Sequence, residues 1–294
     1  MHLAFQRFHR RLAVGFLSLG LFAGLVGVAR ADAPARVFVA STGDDANVGS
    51  PASPKRNFQA AHNAVAAGGE IVVLNTAGYG LLTITKSVTV TVPPGVTGFI
   101  NVPSGTTAIN IVAGLNDTVT LRGLVIEGAG ANSGGISTLG VGTLRVEDCV
   151  IRQVDTAISA GNQTNVHLIV NGGSIFDVNN GIQLEPFANN NACDAVVTGC
   201  RIDNATIALT ALITSNYTGS TSRLTADHCV LTHCGTGVYV YGPGAACNVD
   251  DCSIIGNTTG LLNNGSGGQL YTRGNNTVVG NSTDGSFNAS LAPL

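Results

Sequence analysis

One apolar residue recurs along this chain at a nearly fixed interval: Ile126, Ile151, Ile175, Ile202, Leu231, Ile254 and Val278, spaced 25, 24, 27, 29, 23 and 24 residues apart. A short motif returns with it, as Glu147-Asp148-Cys149-Val150-Ile151, Thr198-Gly199-Cys200-Arg201-Ile202, Asp227-His228-Cys229-Val230-Leu231 and Asp250-Asp251-Cys252-Ser253-Ile254. Self-similarity at such a period marks a solenoid, because a unit this short buries its apolar face only against the next copy of itself. Val90 reads as an earlier anchor, one irregular coil upstream.

Inside each unit apolar and polar residues alternate, which is the period of a half-buried strand. In one unit the inward set is Leu144, Val146, Cys149, Ile151, Val154, Ile158 and Ala160; in the next it is Leu168, Val170, Gly173, Ile175, Val178, Ile182 and Leu184. The register returns in Ala195, Val197, Cys200, Ile202, Ala205, Leu209 and Ala211, and again from Leu224 to Val240. Between Val146 and Cys149 the alternation slips by one residue, which requires a sharp bend, and a second bend precedes Ile158. Each unit therefore holds three short strands, 144–147, 149–152 and 157–160 in the first example. About eight such coils, stacked at about 4.8 Å, make an all-β parallel β-helix roughly 40 Å long, with three sheets around one core. A leucine-rich repeat needs a helix or turn where this chain keeps alternating, through Gly181-Ile-Gln-Leu184 and Gly237-Val-Tyr-Val240. A β-sandwich accounts for the Val, Ile, Thr and Gly content but not for a register held across five successive units.

Of 294 residues, 44% are hydrophobic and 11% charged, which excludes a disordered or acidic tail protein. Arg7, Arg10 and Arg11 precede an apolar run from Leu12 to Val28, and Ala29-Arg30-Ala31 sets small residues before a cleavage point, so residues 1–31 read as a secretory signal peptide. The run is shorter than the ~20 residues of a membrane span, and no later segment reads as one. The mature chain, 32–294, is expected as a single domain: an N-terminal cap and first strands over 32–80, coils over 81–287 and a tail over 288–294. Cleavage leaves ten basic residues against seventeen acidic ones, a net charge of −7. That balance excludes nucleic acid as a partner and suits a secreted monomer, extracellular or periplasmic. Within the cap, Asn57 to Ala67 reads as a short helix capped by Asn57, with Phe58, Ala61 and Val65 on one face, lying over strand edges that would otherwise pair with other chains. At the far end Tyr271, Arg273, Asn276 and Asn281 read as polar replacements at inward positions.

The segments Val37-Phe-Val-Ala-Ser-Thr-Gly-Asp-Asp-Ala-Asn47, Phe58-Gln-Ala-Ala61, Ala67-Gly-Gly-Glu-Ile-Val-Val73 and Thr83-Ile-Thr-Lys-Ser-Val-Thr-Val90, in this order ahead of the coils, resemble the opening of secreted bacterial β-helix proteins of the pectin-lyase-like superfamily. The resemblance covers nearly the whole mature chain and implies a right-handed parallel β-helix. It says less about activity, since the superfamily holds lyases, hydrolases, epimerases and adhesins. It also implies an Asn ladder at the inward position after the sharp corner, where this chain instead carries Cys149, Cys200, Cys229 and Cys252, interrupted by Gly173. These read as buried thiols acting as small apolar groups, set somewhat too far apart on parallel strands for disulfides. Cys234 and Cys247 read as inward elsewhere. Cys193 reads as a loop residue, the first expected to meet a thiol reagent.

In that superfamily activity sits on the outer face of the third strand and on the loops that follow it. Here that face presents Gln183, Glu185, Tyr239 and Tyr241, with Tyr217 in a nearby loop. The tyrosines suit stacking on sugar rings while Glu185 and Gln183 hydrogen-bond hydroxyls, and the register sets Glu185 about 10 Å, two coils, from Tyr241. A calcium-dependent lyase needs several carboxylates with a Lys or Arg beside them, and a hydrolase needs two carboxylates; this face offers Glu185 alone. A second candidate is the corner where Asp227 and His228 stack on Asp250 and Asp251, placed to share a cation or a proton. No cofactor is evident, and a divalent cation such as calcium is the one kind these residues would admit. No catalytic residue is identifiable. The reading that follows is an exported β-helix that binds or faces extracellular polysaccharide without evident catalysis. Its alternatives are a polysaccharide lyase, hydrolase or epimerase, and a structural or adhesive cell-surface rod.

Overall fold

The computed structural model describes residues 32–130, 132–161, 165–214 and 217–291. The expected signal peptide, 1–31, lies outside the described residues. Thr143–Glu147, Val150–Arg152 and Thr156–Ala160 form one coil, and each strand pairs in parallel with its equivalents in the coils above and below. First strands stack into an 11-stranded sheet running from Arg36–Val39 to Ala289–Ser290. The second and third strands share one 15-stranded sheet, because Ser174–Leu184 and Arg201–Leu212 pass through the second bend as continuous strands. The chain is a parallel β-helix.

The anchors form a single column, Ile126↔Ile151↔Ile175↔Ile202↔Leu231↔Ile254↔Val278, each paired with the next. Its first member is Ile100, which pairs with Ile126; Val90 pairs instead with Leu121 in the first sheet. Both Val88–Thr91 and Gly98–Val102 alternate, and alternation alone does not tell which sheet a strand joins. Every inward residue read from the four aligned units is buried except Gly173. Each such Ile, Leu or Val contributes about 1.5–3 kcal/mol by leaving water, so the columns form one continuous core.

Six successive coils turn their first corner through a residue in the left-handed region, Gly123, Asp148, Gly172, Gly199, His228 and Asp251, with φ between 46° and 71°. The second corner repeats the device at Gln153, Asp177, Asn204, His233, Gly256 and Gly280. Gly, Asn, Asp and His tolerate this conformation best, and eleven of the twelve residues are of these kinds. A corner leaves backbone groups pointing inward, and the next residue answers them. Asn276 takes the N–H of Cys252 and donates to the Val249 carbonyl, at 2.8 and 2.7 Å. Cys149 and Cys229 reach the equivalent carbonyls, Leu121 and Val197, with their thiols at 3.6 and 3.4 Å. Cysteine therefore stands in for the Asn ladder. Gly173 interrupts it because its backbone, at φ 86°, swings inward, where a Cβ would lie 2.3 Å from the Cys149 carbonyl oxygen. At the second corner Asn257 and Asn281 do the same work for the N–H groups of Cys234 and Asn257.

The N-terminal end is covered by a helix, Phe58–Ala64, whose Phe58 and Ala61, with Val65 just beyond, are fully buried. Asn57 does not cap it; its side chain donates to the Asp45 carboxylate at 2.7 Å. At the other end Tyr271 and Arg273 do not face inward, because the pairings Cys247↔Leu270 and Val249↔Thr272 put Leu270 and Thr272 there. Asn276 and Asn281 are inward as expected. Cys193 is fully buried rather than a loop residue, since Ala192–Thr198 pairs it with Val166 and Ser222.

Two expectations test this register. Ile202→Asp places an unpaired carboxylate at a fully buried position and should abolish cooperative thermal unfolding, a loss of several kcal/mol. Arg201→Ala removes only an exposed ion pair with Asp203 at 3.1 Å and should change stability by about 1 kcal/mol or less. Equal melting curves by circular dichroism would refute the inward assignment. None of the seven cysteines is in a disulfide and all are buried, so a thiol reagent should reach them only as coils open, with no early reaction at Cys193.

Candidate functional site

The third strands carry a column that runs Thr83↔Asn110↔Ser137↔Ser159↔Gln183↔Thr210↔Tyr239, each step a strand pairing, and all of it but the buried Thr210 lies on the outer face. Six steps at about 4.8 Å make it roughly 29 Å long. At its C-terminal end Tyr239 and Tyr241, two residues apart on one strand, hold their rings 6.4 Å apart and within 18° of parallel. Asn264 donates to the Tyr239 hydroxyl at 3.4 Å. Glu185 lies two coils from Tyr241, with Leu212 between them, and accepts a hydrogen bond from Gln183 at 2.8 Å. Burial raises the Glu185 carboxyl above its ordinary pKa against the opposing pull of that bond. Tyr217 packs edge-on against Phe187, ring centroids 6.3 Å apart. Phe187, a loop aromatic that the reading of the sequence passed over, is 40% exposed.

Three concavities lie along the same side of the solenoid and share their edges. One of about 350 Å³ lies against Gln59, Thr83 and Asn110 and meets a second, of about 340 Å³, at Thr106 and Thr107. The second includes Ser137 and Ser159 and meets a third, of about 560 Å³, at Asp155. This last lies over the second corner, against Asp177, Asn179, Asn204, Thr206 and His233. Its polar residues flank the inward column in consecutive units, as Gln153-Val154-Asp155, Asp177-Val178-Asn179, Asn204-Ala205-Thr206 and His233-Cys234-Gly235. That recurrence was present in the sequence and unread. Asn179 donates to Asp155 and Asn204 to Asp177, so each carboxylate is held in place by the neighbouring coil. Beside them Asp203 binds His233 and Arg201, at 2.8 and 3.1 Å; burial works to raise its pKa, and these bonds outweigh it and lower it.

The acidic corner is assembled as the register implied, since Asp227 pairs with Asp250. His228 lies between Asp227 and Asp251, its two ring nitrogens 2.7 and 2.8 Å from their carboxylate oxygens. Arg273 takes Asp250 at 3.2 Å. The hydrogen bond to Asp227, then the charges of Asp227 and Asp251, raise the His228 pKa. When protonated, an imidazole so placed donates to both carboxylates. Among the described residues, no three His, Cys, Asp or Glu side chains stand together to hold a metal ion, and no helix is long and apolar enough to cross a membrane.

No protein-family model matches the chain, and no curated protein matches its sequence. Among solved structures, a rhamnogalacturonan lyase aligns over 81% of this chain and 67% of its own, at 14% identity and a TM-score of 0.34. A GH136 lacto-N-biosidase from Eubacterium ramulus aligns over 88% and 67%, at 10% identity and a TM-score of 0.39. At these values neither likeness carries an argument about chemistry.

The proton at His228 gives a signed pH dependence. A histidine whose folded pKa lies above 6.5 contributes its stability in full below that pH and loses it as pH rises through the raised value. His228→Asn keeps a residue suited to the left-handed corner and removes the proton. The melting temperature of the parent should therefore fall towards that of the variant as pH rises above about 6.5; a constant difference would show that the imidazolium does not bind the two carboxylates.

Proposed function

We propose that the protein holds an extended, neutral or weakly charged glycan chain along the outer face of the third strands, without cleaving it. The observation that carries this reading is the run of concavities with shared edges, whose polar side chains are chiefly Ser, Thr and Asn, which follows the column from Thr83 to Ser159 and then passes over the second corner as far as His233. Hydroxyls and carboxamides both donate and accept, as sugar hydroxyls do, and their uncharged character leaves a long polymer free to bind anywhere along it. Beyond the concavities, at the C-terminal end of the column, Tyr239 and Tyr241 add apolar ring surface on which a sugar would stack, with Gln183 and Glu185 two coils away. Asp155 and Asp177, with a mature net charge of −7, disfavour a uronate chain unless a cation such as calcium intervenes. The export that this role requires rests on the signal peptide read in residues 1–31.

Hydrolysis is the second reading, favoured by Asp155 and Asp177 facing one concavity from neighbouring coils. Affinity electrophoresis in gels containing neutral plant or bacterial polysaccharides separates the two. The parent should be retarded, with no new reducing ends or unsaturated products after incubation. Ser159→Arg, which fills the middle of the trough, should weaken retention about tenfold, or ~1.4 kcal/mol. Tyr239→Ala/Tyr241→Ala should lose on the order of 1–3 kcal/mol with unchanged melting. Unaltered retention in both variants would refute the site, product release would favour the enzyme, and cell-surface retention without glycan affinity would favour an adhesive rod.

A further inference from the structure

Three thiols stand one above another inside the solenoid. The pairings Arg201↔Val230 and Val230↔Ser253 put Cys200, Cys229 and Cys252 in one column on consecutive coils. Each is at most 2% exposed. Their side chains are oriented alike, because each sulfur meets the carbonyl two residues before it: Thr198 at 3.5 Å, Asp227 at 3.3 Å and Asp250 at 3.1 Å. The N–H of Cys229 also donates to the Cys252 sulfur at 3.3 Å.

Parallel thiols at the strand spacing of about 4.8 Å are poorly placed for a disulfide, whose Cβ atoms lie about 3.5–4.5 Å apart and whose sulfurs must close to about 2.05 Å. They are well placed for something else. With a thiolate–metal bond of about 2.3 Å, a linear sulfur–metal–sulfur unit spans about 4.6 Å, close to the strand spacing. An ion lying on the column axis would meet each sulfur roughly at right angles to its Cβ–Sγ bond, the direction in which a divalent sulfur offers its lone pairs.

We propose that Cys229, with either Cys200 or Cys252, forms a binding site for one soft, linearly coordinated metal ion. Two S–H bonds break, two metal–sulfur bonds form and two protons leave, with no change of oxidation state. Divalent mercury is the ion that fits best, because its bis-thiolate is neutral; monovalent copper or silver would leave a net negative charge in an apolar core. The column cannot gather three sulfurs around one ion, consistent with the absence of any three-ligand group among the described residues. Because both pairs share Cys229, the site takes one ion, not two. The other four cysteines stack on residues other than cysteine: Cys149 on Leu124 and Gly173, Cys193 on Val166 and Ser222, and Cys247 on Leu224 and Leu270, while Cys234 faces Asn257. Cys252 lies one coil from the C-terminal end of its column, where local opening would admit the ion.

The experiment is anaerobic titration of the folded protein with mercuric acetate, followed by native mass spectrometry, proton release and X-ray absorption at the metal edge. One ion per chain should bind tightly, with two protons released and two sulfur neighbours at about 2.3 Å. Cys200→Ala and Cys252→Ala should each keep the site, since one pair survives. Cys229→Ala and the double Cys200→Ala/Cys252→Ala variant should each lose it, and Cys193→Ala should not matter. Tight binding that persists in either site-deleting variant, several equivalent ions per chain, three or more sulfur neighbours, or uptake only upon loss of the circular dichroism signal would each overturn the proposal. The double variant keeps the test decisive if Cys229→Ala does not fold.

Discussion

Successive coils are joined by parallel backbone hydrogen bonds in a register that holds apart from a shift between Thr138 and Gly140, and the rest of the molecule follows from that constraint. A residue in one coil is set directly over its equivalent in the next, about 4.8 Å away. Inward residues thus become columns of like side chains, and the core is continuous from Val37 to Leu270. The same register multiplies any polar choice at a corner. One left-handed residue per corner, repeated in successive coils, bends the chain into its three sides, and the residue after it must satisfy the backbone groups that the bend turns inward.

Cysteine at that position is chemically unusual for a chain read as exported. Its thiol is small, donates to a carbonyl and adds apolar surface, so it serves where an Asn carboxamide serves at Asn276. Burial, opposed by nearby backbone N–H groups, pushes the Cys149 thiol up to about 12. The neighbouring Cys200 thiol, with burial, does the same for Cys229, also to about 12. Such thiols are neutral at physiological pH and unreactive as nucleophiles. The column is therefore inert toward ordinary thiol chemistry while its spacing remains available to an ion that displaces protons.

On the outside, the register lines up hydroxyls and carboxamides as efficiently as it lines up isoleucines within. The column from Thr83 to Tyr239 and the flanking corner residues owe their continuity to stacking, not to any single motif. The acidic corner shows the complementary outcome. There stacking brings Asp227, Asp250 and Asp251 together, and His228 and Arg273 relieve the repulsion.

The sequence alone determined the repeat, the three strands per coil, the inward columns and the alignment of the thiols, because alternation and spacing are properties of a single strand and need no partner to be read. It placed Glu185 correctly with respect to Tyr241, and Asp227 with respect to Asp250, since both follow from the register. The tertiary structure decided the rest. Whether Val90 joins the first sheet or the anchor column depends on its pairing with Leu121. Leu270 and Thr272, not Tyr271 and Arg273, turn inward because Cys247 and Val249 select them. Cys193 is a strand residue because Val166 and Ser222 lie on either side of it. The trough beside Asp155 and the Tyr217–Phe187 contact arise from the paths of neighbouring coils and loops, which set the shape of a surface without leaving any periodic trace in the residues that line up to form it.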